Sequence, residues 1–143
     1  MQNNENHILR KLLPFATFIV VGHFAVVIWH LFLLLKVQPS TPWFAALLLV
    51  VTNLLPVVGL FAFAKGRYNL AAGLIAVPLS VALVIGGYTH FVTAGSDNVF
   101  WMPPGALRLP FQISAVLLAL LESLGCYVAL RTFAAARAKH AAS

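Results

Sequence analysis

Acidic side chains are nearly missing from this chain. Asp and Glu together number three in 143 residues, and charged residues of both signs make up only 8% against an apolar share of 62%. A water-facing domain carries roughly 25% charged residues, so there is too little polar surface here to coat a soluble globule. The composition is that of a membrane protein. Cysteine is scarce as well: Cys126 is the only one, which excludes an intrachain disulfide, a CxxC redox pair and a thiolate zinc cluster. The sequence also lacks a Gly-rich phosphate loop, a Ser-His-Asp set, an HExxH pair and a nucleophile elbow, so the reading is non-enzymatic. The net charge of +6 does not point to nucleic acid, because the basic residues sit at the ends of apolar runs and form no stripe.

What the sequence does contain is long apolar runs. Residues 12–35 carry no formal charge, and their only strongly polar side chains are His23 and His30. About 20 apolar residues at 1.5 Å each cross the hydrocarbon core, so this run is long enough to span. A secretory signal has a shorter apolar core and a small-residue cleavage site, and neither is found here. Pro39, Ser40, Thr41 and Pro42 form a stop-and-restart signal before a second run over 43–64. That run holds Asn53 and Pro56, and the proline predicts a modest kink.

Lys65, Gly66 and Arg67 make a tight basic turn into a third run over 68–91. Along it Gly73, Ala76, Ser80, Leu83, Gly87 and His90 recur at steps of three and four, which predicts a packed small-residue face. Pro78 predicts a second kink. The long connection over 93–108 has turn residues from Gly95 to Asn98 and a break at Pro103-Pro104-Gly105. Between them, Val99, Phe100, Trp101 and Met102 form an apolar patch suited to the headgroup zone, so the loop is expected on the membrane surface. A fourth run over 109–133 places Ala115, Ala119, Glu122, Cys126 and Ala129 on one face. The basic, alanine-rich tail after Arg131 is expected to fray into solvent.

The fold expected is therefore all-α: a polytopic integral membrane protein with four antiparallel transmembrane helices in one up-down bundle. Arg10, Lys11, Lys65, Arg67, Arg131, Arg137 and Lys139 gather on one side, against Lys36 and Arg108 on the other. By the positive-inside rule both termini face the cytoplasm. The composition of the tail and the absence of an N-glycosylation sequon lean toward a bacterial inner membrane. The partners expected are the lipid bilayer and a second copy or membrane-complex subunit, with no nucleic acid.

Depth along the four runs groups the polar residues into two layers. His23, Asn53, Ser80 and Glu122 fall near the midplane, and Glu122 is the sole acidic residue in any run. First and last helices are neighbours in an up-down bundle, so His23 and Glu122 are placed to bond across that seam. The leading reading is a packing role in a membrane subunit or accessory protein. The alternative is a protonatable site in a small proton-coupled transporter. His30 lies about 10 Å further out, with His90 on the third run and Asp97 in the loop. Two imidazoles on different helices suit a b-type haem, while His30, His90 and Asp97 together suit zinc or copper. Satisfied interior histidines are the plainer reading.

Overall fold

The computed structural model describes the backbone of residues 2–37, 43–95 and 97–141, with side chains described over 7–36, 50–95 and 97–139. Helices dominate because the sequence offers long apolar runs with no competing water contact, and a backbone in lipid must satisfy its N–H and C=O groups internally. The helices are α1 (Gln2–Val37), α2 (Trp43–Ala64), α3 (Tyr68–Gly87) and α4 (Arg108–Ala141), and α3 runs on into a π-helical turn at Tyr88–Val92. No strand occurs among the described residues. Three stretches, His7–Lys36, Tyr68–Val92 and Arg108–Lys139, are each long and apolar enough to cross a membrane. In α2 the described apolar stretch is the shorter Val50–Ala64. The expected restart signal at 39–42 and Ser96 of the loop lie outside the described residues.

Helix α1 packs on α4, α4 on α3 and α3 on α2, with a lesser contact from α1 to α2. The turn between α2 and α3 follows from its glycine. Gly66 adopts a positive φ of 74°, which lets the N–H of Arg67 reach the carbonyl of Ala62 and that of Gly66 reach Phe63, both at 2.9 Å. This is the six-to-one and five-to-two pairing that closes a helix C-terminus on a left-handed glycine. The helices are continuous through Pro14, Pro56 and Pro78. Pro110 sits in the first turn of α4, where its missing N–H costs nothing.

The tail corrects the expectation from sequence. Residues after Arg131 continue α4 to Ala141, and Thr132, Ala135 and Ala136 are buried. Ala135 joins Leu9, Ala62, Phe63 and Ala71 in one core cluster, and Lys139 lies 5.6 Å over the ring of Tyr68. Alanine has the highest helix propensity and its small side chain admits close neighbours, so the tail is held by packing at the end of the bundle.

The small-residue face on α3 is the second correction. The buried face is Ala71, Ala72, Ile75, Pro78 and Leu79, whereas Gly73 and Ser80 are exposed and Gly87 is half-buried. Steps of three and four are equally available to a neighbouring stripe, and bulk at Ile75 and Leu79 fills the space between α2 and α4. The close approaches come instead from Gly59 on α2 and Gly125 on α4. A β-carbon on Gly59 would stand 2.8 Å from Cγ1 of Ile75 and 3.2 Å from the Ala71 carbonyl oxygen, and one on Gly125 would collide with Cδ1 of Leu79. The face expected on α4 fares better, with Ala115, Glu122 and Ala129 buried and Ala119 and Cys126 half-buried.

Gly59→Ala should destabilise the protein in detergent by about 1–3 kcal/mol, the usual cost of overpacking. Gly73→Ala meets nothing within 4 Å and should be neutral or stabilising by up to about 1 kcal/mol through helix propensity. Thermal unfolding of the two variants checks this order.

Candidate functional site

The deeper site is made by two side chains on α1 and α4. His23 and Glu122 are both buried, with Nε2 of the imidazole 3.3 Å from Oε1 of the carboxylate. A carboxylate without a partner in an apolar interior costs far more than it returns, so the seam between these helices is where Glu122 can be tolerated. The other two residues expected in this layer differ. Asn53 is buried on α2. Ser80 is exposed, and its Oγ lies 3.2 Å from Sγ of Cys126, so it bridges α3 to α4 one turn along from Glu122.

Two turns further along α1, His30 is 5% exposed and forms a second site with His90. Their ring centres are 4.8 Å apart at an interplanar angle of 72°, and both rings lie against Phe111, at 4.7 Å and 5.6 Å. The π-helical turn at Tyr88–Val92 carries His90, and such turns re-aim side chains that a regular helix would present elsewhere.

Hydrogen bonding sets the tautomers. The single proton of Ser114 Oγ goes to the Phe111 carbonyl at 2.8 Å. Nδ1–H of His30 therefore donates to Ser114 Oγ at 2.8 Å. His90 donates its own Nδ1–H to the Asp97 carbonyl at 2.9 Å. Each ring is left with a lone pair on Nε2. That of His30 is buried and has no hydrogen-bond partner, a deficit worth about 1–3 kcal/mol in a folded protein.

Asp97 enters this site through its backbone, so the expected trio of His30, His90 and the Asp97 side chain does not form a ligand set. Among the described residues, no group of three or more His, Cys, Asp or Glu side chains is placed to hold an ion. Haem fares no better. Two axial imidazoles with metal bonds of about 2.0 Å put their ring centres roughly 6 Å apart on opposite sides of a macrocycle, and here the rings meet edge to face at 4.8 Å.

The loop beside the histidines is tied down. Asn98 is buried and donates from Nδ2 to the Thr93 carbonyl at 2.8 Å, while its Oδ1 accepts the Phe100 N–H at 2.8 Å. Val99 N–H donates to the His90 carbonyl at 2.9 Å, and Gln112 Nε2 donates to the Val99 carbonyl at 2.6 Å. The aromatic patch splits accordingly. Val99 and Met102 are buried with Leu33, Phe111 and Ala115, whereas Phe100 and Trp101 are exposed.

Sequence reasoning missed Ser114, Phe111 and Asn98. Ser114 was detectable: it lies eight residues from Glu122 on one helix, as His30 lies seven from His23 on the other. No protein-family model, curated protein or solved structure matches this chain.

Ser114→Ala leaves Nδ1–H of His30 buried without an acceptor and should cost about 1–3 kcal/mol. Ser123→Ala, whose exposed hydroxyl donates to the Ala119 carbonyl of its own helix, should stay within about 0.5 kcal/mol of wild type. Unfolding in one detergent compares the two.

Proposed function

We propose that this protein is a small four-span integral membrane protein acting as a non-enzymatic subunit or accessory protein, in which the His23–Glu122 pair keys α1 to α4. The observation carrying this reading is that buried pair, 3.3 Å apart across two helices. It joins the one carboxylate within the apolar runs to an imidazole on another run, and it sits in a chain without a catalytic motif. Large apolar side chains point outward along the described stretches of the helices, Phe18 and Val84 each 70% exposed among them. Surfaces of that extent are covered by lipid or by spans of another subunit.

An antiparallel up-down bundle accounts for the contacts. From Leu9 through His23 to His30, the partners on α4 step back from Ala135 through Glu122 to Ser114. Leu9 near the start of the chain and Ala135 near its end share a cluster with Ala62, Phe63 and Ala71, which flank the α2–α3 turn. In this reading the whole chain is one membrane domain with the 93–108 loop on one side. The seven-to-two bias of Lys and Arg supports cytoplasmic termini, and a bacterial inner membrane suits the basic tail.

The second reading is a small proton-coupled transporter using Glu122 with His23. What favours it is the same pair, since an imidazole and a carboxylate in contact inside a span are two exchangeable proton sites. Substitution of both residues separates the two readings. His23→Ala leaves the carboxylate buried and unpaired, which costs about 3–5 kcal/mol when the charge is retained. Leu at both positions removes the need for pairing and should recover most of that loss. Thermal unfolding in detergent measures the order. A Glu122→Gln variant that stays folded and loses a proton-coupled flux in proteoliposomes overturns the subunit reading in favour of transport.

A further inference from the structure

We propose that His30 and His90 form a binding site for a soft monovalent metal ion, Cu(I), with the buried thioether of Met102 as the third donor. Both imidazoles spend Nδ1–H on fixed acceptors, Ser114 Oγ and the Asp97 carbonyl, and both keep a lone pair on Nε2. Metal-bound histidines have this arrangement, with the far nitrogen anchored by an outer acceptor that orients the ring. His30 Nε2 is the telling atom. It is fully enclosed, it has no hydrogen-bond partner, and its ring stands edge to face with that of His90.

The ring separation fits one shared ion. With metal–nitrogen bonds of about 2.0–2.1 Å, two imidazoles on one ion at a bent angle hold their centres roughly 5 Å apart. The observed separation is 4.8 Å.

The choice of metal follows from the surrounding donors. Zinc and other divalent ions of borderline or hard character want four or more N, O or thiolate ligands. No third His, Cys, Asp or Glu stands with this pair among the described residues. Met102 is 4% exposed and belongs to the same core cluster as Phe111, the ring against which both imidazoles lie. A thioether with two neutral imidazoles is a soft set without charge, which selects Cu(I). Low coordination number and low charge also suit an apolar interior.

The test uses the full chain purified with a histidine-free tag in a Cys126→Ser background, because the free thiol of Cys126 binds Cu(I) independently. The probe is Cu(I) itself, supplied as its bicinchoninate complex under reducing, anaerobic conditions. The expected result is withdrawal of one Cu(I) per chain. His90→Gln and Met102→Leu, both chosen to keep the fold, should each weaken binding by tenfold or more. X-ray absorption on the loaded protein should report nitrogen and sulfur neighbours, with the sulfur lost in Met102→Leu. Failure to compete with bicinchoninate, binding left unchanged in His90→Gln and Met102→Leu, or tighter retention of Zn(II) than Cu(I) would each overturn the proposal. None of these results touches the role of His23 and Glu122, which lie about 10 Å away along the helices.

Discussion

A carboxylate in an apolar interior has to find a partner, and Glu122 finds His23. That constraint governs how α1 and α4 meet. Glu122 can be buried only where an imidazole stands opposite, so sliding one helix past the other by a turn would leave both groups stranded. Once the register is set, the rest of the seam follows. Leu9 and Ala135 share a core cluster at one end, and His30 meets Ser114 two turns beyond the pair. Helix α3 then packs against α4 through Ile75 and Leu79, which lie against Ala129 and the flat surface of Gly125. The polar contacts therefore fix position, and the apolar contacts fill the space between.

The two polar sites are built differently. At His23 and Glu122, two groups complete each other. At His30 and His90, each ring is anchored at Nδ1 by a group outside the pair, and the inner face keeps unspent acceptor capacity. The second site also draws on more of the chain. It takes His30 from α1, His90 from the π-helical turn after α3, Ser114 and Phe111 from α4, and the Asp97 carbonyl from the loop. Asn98 and Gln112 hold that loop in place, so the carbonyl that orients His90 belongs to a pinned turn. A folded loop is a costly way to satisfy one imidazole, and it makes sense as a support that holds a ring in one orientation.

The all-helical fold was legible in the sequence, as was the meeting of His23 with Glu122. Charge scarcity and apolar runs dictate the first. Similar depth on neighbouring helices dictates the second. The sequence misled where several helical stripes were available. On α3 the regular series from Gly73 to His90 suggested the packed face, yet Ala71, Ile75 and Leu79 took it. Ser80 shared the depth of the central layer but turned toward Cys126. Depth follows from counting residues, whereas azimuth depends on which neighbour fills the groove. The tail was misread for a related reason: alanine is silent in hydropathy patterning, and its value as a close-packing residue appears only against Leu9 and Phe63.

By itself, the sequence determined that the chain forms apolar helices and that Glu122 needs an imidazole, because both follow from the cost of leaving polar groups without partners in an apolar medium. Tertiary structure decided which face of α3 is buried. It also decided that His30 and His90 touch across the bundle, and that Asp97 contributes a carbonyl oxygen to that site. Those outcomes depend on a widened helical turn and on a loop folded back over the helix ends, and neither is encoded in the spacing of any one segment.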